Sequence, residues 1–169
     1  DLQTPFYEIV NVSKMHVIEV SKIHENCFEN TWSLNYLSLL MKNRVNDGFI
    51  AKLKANTNTK ENKSLKYIDT DICIGFVLFS KVHEYSELLS LGILENWRCH
   101  GIGSDLIRHV IRSISRSGAS RLVLEVAKNN ISARKLYSDF GFKEVSRRTG
   151  YYKQSIGNVD AVILEKKIK

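Results

Sequence analysis

A chain of 169 residues with 43% apolar side chains is long enough for one globular domain with a sizeable core, and none of its apolar runs approaches the roughly 18 to 20 residues that span a bilayer. Its net charge of +7 is scattered, gathering only in small groups such as Lys52, Lys54, Lys60, Lys63 and Lys66, which argues against a nucleic-acid surface. Cys27, Cys73 and Cys99 are odd in number and widely spaced, and His16, His24, His83, His100 and His109 show no metal-ligand spacing, so neither a disulfide framework nor a zinc site is indicated; with no basic-then-apolar leader pattern, a cytoplasmic protein with reduced thiols is expected.

Residues 6–12 alternate as a first strand, behind the single proline, Pro5. Ser13 then reads as a helix cap. Val17, Val20, Ile23, His24 and Cys27 form one helical stripe, and a second helical stretch runs from Ser33 through Leu34, Leu37, Leu40 and Met41. Residues 49–53 and 72–79 read as adjacent strands of a hairpin. Between them, 54–70 is polar and without apolar periodicity, and is expected to be a flexible insertion. A short buried strand at 87–94 precedes an amphipathic helix carrying Ile102, Leu106, Ile107, Val110, Ile111 and Ile114, which Gly118 ends. A strand at 120–126, a short helix at 131–140 closed by Gly141, and two strands at about 142–149 and 159–168 complete a mixed α/β domain.

Gly101 and Gly103 sit at the junction of the 87–94 strand and the amphipathic helix. Without Cβ atoms they let backbone N–H groups approach an anion closely, and the unpaired N–H groups of the first helical turn add positive partial charge. Taken alone, the pair equally fits a tight strand-to-helix turn. It is not the longer dinucleotide fingerprint, whose third glycine would fall at Leu106, nor a nucleotide-triphosphate loop, since no Gly-Lys-Ser/Thr follows.

The run Arg98-Cys99-His100-Gly101-Ile102-Gly103 resembles the coenzyme A loop of the GNAT superfamily of N-acetyltransferases, written Gln/Arg-x-x-Gly-x-Gly/Ala. From 88 to 168 the chain is similar to the RimI-type ribosomal-protein-alanine N-acetyltransferases. The similarity is carried by Leu91-Gly92-Ile93, the glycine loop, Leu124-Glu125-Val126, Asn129-Asn130, Ala133, Leu136-Tyr137, Phe140-Gly141-Phe142, Arg148, Tyr151-Tyr152 and Asp160-Ala161. The N-terminal half agrees mainly in pattern. This resemblance implies a single-domain GNAT fold over 1–169, with a mixed central β-sheet of about six to seven strands flanked by about four helices. It implies acetyl-CoA as cosubstrate and no metal. Cys99, His100, Gly101, Ile102, Gly103 and Ser104 would form the pyrophosphate cradle, with Arg98 also binding the cofactor. The backbone of Leu91, Gly92 and Ile93 would hold the pantetheine arm and polarise the thioester carbonyl, and Asn130 would anchor the cofactor near its reactive end. Read from the residues themselves, Gly92 inside a strand marks a bulge, a close backbone approach or a weakened strand, and Asn130 is a helix N-cap. Cys99 receives no nucleophilic role.

Glu125 points away from the face of Leu122, Leu124 and Val126 by strand alternation, where an edge or ion-paired glutamate is the ordinary occupant. Tyr137, beside Leu136 and Phe140, fits a packing tyrosine. The resemblance implies instead that Glu125 is the general base and Tyr137 the general acid. An α-amine with a pKa of about 7.7 to 8.0 is made neutral at pH 7 for only about 1 kcal/mol, whereas a lysine near 10.4 needs about 4 to 5 kcal/mol. A modest carboxylate base therefore suits an N-terminal acceptor more easily. At the leaving end, a thiol near 8.5 takes a proton from a tyrosine near 10 uphill by about 2 kcal/mol. Tyr137 must then work through a short, oriented hydrogen bond or a lowered pKa.

The implied acceptor is the N-terminal α-amine of a protein, at the N-terminal alanine of a small-subunit ribosomal protein. Lysine side chains or a small amine are alternative acceptors, and a non-catalytic acetyl-CoA-binding or ribosome-associated module is the reading from a different class. No nucleic-acid or membrane partner is expected. Trp32 and Tyr151-Tyr152 resemble segments that flank the peptide entrance and fit packing equally well. Lys153 stands where a proline often follows the tyrosine pair. A basic acceptor would need an acidic rim, for which Glu29, Glu84, Glu87 and Asp160 are the candidates.

Overall fold

The computed structural model describes residues 6–54 and 72–168; the insertion expected at about 54–70 lies, apart from Lys54, outside the described residues. Among these, β1 (Tyr7–Asn11), β2 (Asn46–Leu53), β3 (Cys73–Val82), β4 (Tyr85–Ile93), β5 (Arg121–Ala127), β6 (Lys143–Gln154) and β7 (Gly157–Lys167) form one sheet. Their order is β1-β2-β3-β4-β5-β7-β6. Neighbours run antiparallel except β4 and β5, a parallel pair that needs a crossover. The helix α3 (Ile102–Arg116) is that crossover.

Two helical layers cover the sheet. On one face lie α1 (Val17–Cys27) and α2 (Leu34–Lys42), whose Val20, Ile23 and Leu37 cluster with Ile50, Phe76 and Leu78. Ser33 starts α2 as expected, its hydroxyl accepting from Tyr36 N–H at 3.1 Å. On the other face lie α3 and α4 (Ile131–Asp139). The α3 stripe of Ile102, Leu106, Ile107, Val110 and Ile114 is at most 1% exposed and packs with Phe79, Leu88, Leu122, Leu124 and Tyr137. Each such side chain contributes about 1.5 to 3 kcal/mol by leaving water. Covered on both faces, β3 is apolar throughout its first seven positions, the pattern a doubly buried strand requires. No helix among the described residues is long and apolar enough to cross a membrane.

One irregularity shapes the centre of the sheet. The parallel pairing runs only from Tyr85↔Arg121 to Leu88↔Leu124. Beyond that point Leu91, Gly92 and Ile93 stay with Val77, Phe76 and Gly75 of β3, while Glu125, Val126 and Ala127 stay with Ile163, Val162 and Ala161 of β7. The two strands therefore part, and a wedge opens between them. The bulge lies at Leu89, because Leu78 pairs with Ser90 and Phe79 with Leu88. The extra residue returns Leu91 and Ile93 to the core that Leu88 enters, since one inserted residue reverses the alternation.

Candidate active site

The glycine loop ends in an open helix N-terminus. Gly101 adopts a left-handed φ of 82° as the N-cap of α3, and no side chain caps that end. Asp105 N–H is bonded to Gly101 O at 3.0 Å; the N–H groups ahead of it have no intrahelical acceptor. A Cβ on Gly101 would meet nothing within 4 Å, so its glycine serves backbone conformation and leaves the cradle clear. Gly103 does a different job: a Cβ there would lie 3.1 Å from Leu136 Cδ2, where α3 meets α4. Cys99, Ile102 and Ser104 belong to the same turn, with Cys99 exposed and at a positive φ of 62°. His100 Nδ1 lies 2.7 Å from Arg98 O. The bare, positively polarised N–H groups and the clear space above Gly101 fit a pyrophosphate.

Arg98 turns from the cradle toward the end of β4, its Nε donating to Ile93 O at 3.0 Å. The Cys27 thiol donates to the same carbonyl at 3.4 Å. Gly92 is required here by close packing, not by the bulge, which lies three residues earlier: a Cβ would stand 2.8 Å from Phe76 Cε1 and 3.2 Å from Cys27 Sγ. Leu91, Gly92 and Ile93 thus form the β4 edge of the wedge. Asn130 meets its N-cap reading, with Oδ1 accepting from Ala133 N–H at 3.2 Å and from Ser132 Oγ at 3.3 Å. That cap leaves its amide nitrogen available at the mouth of the β5–α4 loop.

Glu125 lies immediately past the last β4–β5 pair, on the sheet face opposite the α3–α4 core. Its Oε1 accepts from the Tyr152 hydroxyl at 3.2 Å, and its Oε2 is 3.5 Å from Arg148 Nε. Arg148 in turn sits over the Tyr151 ring at 5.0 Å, and Tyr151 meets Tyr152 edge to face at 5.3 Å. Burial, followed by the nearby Glu125 charge, holds the Tyr152 hydroxyl well above the ordinary tyrosine range. Tyr137 comes from the other layer. It is 5% exposed and meets Phe142 edge to face at 5.6 Å, and burial drives its pKa up. Of the two options for Tyr137, a lowered pKa is therefore not met.

Tyr152 and Arg148 as holders of Glu125 escape a reading by periodicity, because β6 is irregular between Arg148 and Tyr152. The signal is Gly150, left-handed at φ 60° inside a strand, whose N–H donates to Asp160 Oδ1 at 2.9 Å. Asp160 is thereby committed to the bulge. Glu29 is committed too, accepting from Ser155 N–H and Oγ at 3.1 Å each. With Asn30 Nδ2 donating to Lys153 O at 3.2 Å, it ties the α1–α2 loop to the β6–β7 turn. Trp32 stacks on His24 at 4.8 Å, a packing role. Of the four acids considered for a rim, Glu87 lines the open cleft beside Glu125, a cavity of about 320 Å³ whose other walls include Val82, Tyr85, Val123, Arg148 and Ile163.

Comparison with known proteins bears on the family and the fold. The model of the acetyltransferase (GNAT) family matches residues 18–142. A [ribosomal protein bS18]-alanine N-acetyltransferase of Haemophilus influenzae is 34% identical over 110 residues, covering 64% of this chain and 75% of that protein. The crystal structure of the ribosomal-protein-S18-alanine N-acetyltransferase from Escherichia coli superposes with a TM-score of 0.80 at 21% identity, covering 96% of this chain and 94% of that one. Arabidopsis thaliana NAA60 in complex with acetyl-CoA superposes equally, with a TM-score of 0.80 at 19% identity and coverage of 96% and 98%. At these identities the two superpositions speak to the fold.

Proposed function

This chain belongs to the GNAT family of acetyltransferases and is an N-acetyltransferase using acetyl-CoA; we propose that its acceptor is the N-terminal α-amine of a protein, an N-terminal alanine of a ribosomal protein by its similarity to the Haemophilus influenzae enzyme. Acetyl-CoA, when bound, supplies a thioester carbonyl open to attack by an amine and a thiolate leaving group. The cradle at Gly101 holds the pyrophosphate, and the β4 edge from Leu91 to Ile93 holds the arm that reaches into the wedge. Glu125, oriented by Tyr152 and Arg148, accepts the proton of the incoming amine, directly or through water. For an α-amine this step costs only about 1 kcal/mol at pH 7, within the means of one carboxylate.

Tyr137 donates to the departing sulfur. Burial raises its pKa, so the hydroxyl keeps its proton across neutral pH and acts as an aligned hydrogen-bond donor as charge develops on sulfur. The observation that supports the reading is the Glu125 carboxylate one position past the last β4–β5 pair, with Tyr137 in the opposite layer. The test incubates the purified protein and its Tyr137→Phe variant with acetyl-CoA and a pool of ribosomal proteins, followed by mass spectrometric mapping. Tyr137-dependent acetylation of an N-terminal alanine is the expected result; modification confined to lysines would move the acceptor, and none at all would favour a binding module.

A further inference from the structure

The cleft beyond Glu125 has an unusual balance of charge. On the helix-free part of this face, the odd-numbered residues of β5 face outward with the partners they pair with. Arg121 is tied to Glu165 at 3.0 Å, and Arg148 is engaged by Glu125 and the Tyr151 ring. Glu87 pairs with Val123 in the sheet register and lines the same cavity, yet its carboxylate makes no hydrogen bond or ion pair among the described residues. Val82, Tyr85, Val123 and Ile163 supply apolar wall around it, with Ser80 and Ser86 alongside and the Glu125–Arg148 pair in the same cavity. An apolar trough ending in one uncompensated carboxylate matches a side chain with an alkyl stem and a cationic head.

We propose that Glu87 selects acceptors with an arginine or lysine at the second or third position, the stem lying on Val82, Tyr85 and Val123 and the head on the Glu87 carboxylate. This rests on the α-amine reading above, which puts the acceptor's first residue at Glu125. Glu125 is diagonal to Glu87 across the parallel pair, about 8 Å away between Cα atoms from strand spacing and rise. An extended chain advances about 3.3 to 3.6 Å per residue, so its third residue passes over Glu87 and a long side chain on its second residue reaches toward it. The Glu29–Ser155 and Asn30–Lys153 bonds hold the α1–α2 loop against the β6–β7 turn, whereas the cleft lined by Glu87 is open beside Glu125.

The experiment compares peptides that start with alanine and differ only in Arg, Gln or Glu at position 2 or 3. For the wild type, kcat/KM for the better-placed Arg peptide exceeds that for its Gln counterpart about tenfold, an advantage that shrinks with added salt. In Glu87→Gln the ratio falls close to one, and in Glu87→Lys the Glu peptide overtakes the Arg peptide. An Arg-to-Gln ratio unchanged in Glu87→Gln overturns the proposal while leaving N-terminal acetylation standing. Affinities of the same peptides already acetylated at their N-terminus give a second readout that needs no turnover. A Glu87-dependent arginine preference there, without acetylation of any N-terminus, would reject the α-amine reading and keep the cationic subsite; no preference in either readout rejects the subsite.

Discussion

Glu125 and Tyr137 belong to opposite faces of one sheet, Glu125 one position past the last β4–β5 pair and Tyr137 in the core that α3 and α4 cover. Glu125 is reached from the side of α1 and the β6–β7 turn, and Tyr137 is buried beneath α4 against Phe142. On the proposed reading, proton removal at Glu125 and proton delivery from Tyr137 approach the reacting atoms from opposite faces of the sheet.

Removing the Tyr137 hydroxyl tests the delivery half. Tyr137→Phe is expected to lower kcat by about 10²-fold or more, the usual range for a positioned general acid, with acetyl-CoA affinity nearly unchanged. The ring, which makes the packing contact, remains. Steady-state kinetics beside calorimetric titration would show this, and a matching loss of affinity would make Tyr137 a binding residue instead.

Gly101→Ala separates conformation from occupancy. A left-handed residue with a Cβ costs about 1 to 2 kcal/mol, readable in urea unfolding. Because the new methyl would touch no protein atom within 4 Å, any further effect belongs to the cradle. A rise of about tenfold or more in the Kd of coenzyme A is expected from a Cβ projecting where a phosphate approaches; an unchanged Kd would place the pyrophosphate elsewhere.

At Gly92 the strain is internal. An alanine there would press on Phe76, which is fully buried, and on the Cys27 sulfur. Gly92→Ala should cost about 1 to 3 kcal/mol as overpacking, and Phe76→Leu in the same chain should return part of it. Purely additive losses in the double variant would show that the two positions do not press on each other.

Stability should also fall on acidification through His24. Burial lowers its pKa from the ordinary 6.5, so the folded chain resists a proton that the unfolded chain takes up. The contribution is present in full above pH 6.5 and is lost as pH falls below it, with a slope of at most about 1.4 kcal/mol per pH unit. Urea unfolding at pH 7.5 and 5.5, compared between wild type and His24→Gln, isolates this share. Equal pH dependence in both proteins would assign the loss to other groups.

What was legible from residues alone was local. The stripe on α3, the glycines at its start and the outward position of Glu125 follow from periods of 3.6 and 2, and each stands where expected. The bulge at Leu89 is not local, since it exists only as a slip against Ser90, Leu88 and their partners on β3. Gly92 in a strand left a bulge, a close backbone approach and a weakened strand open, and what requires it is close packing by the side chains of Phe76 and Cys27, far away in the chain. Likewise the grip of Tyr152 and Arg148 on Glu125 depends on an irregular hairpin register that alternation does not encode.

The parting of β4 from β5 leaves the sheet with an edge in its interior. Beyond the last β4–β5 pair, backbone groups ordinarily consumed by a neighbouring strand border the gap, except Ile93 O, which Arg98 Nε and the Cys27 thiol occupy. An unbranched molecule with amides along an extended backbone suits that gap, taking the place of a missing strand. Such a guest would stitch the two halves of the sheet together, and the protein should unfold at a higher temperature in proportion to how fully the seam is filled.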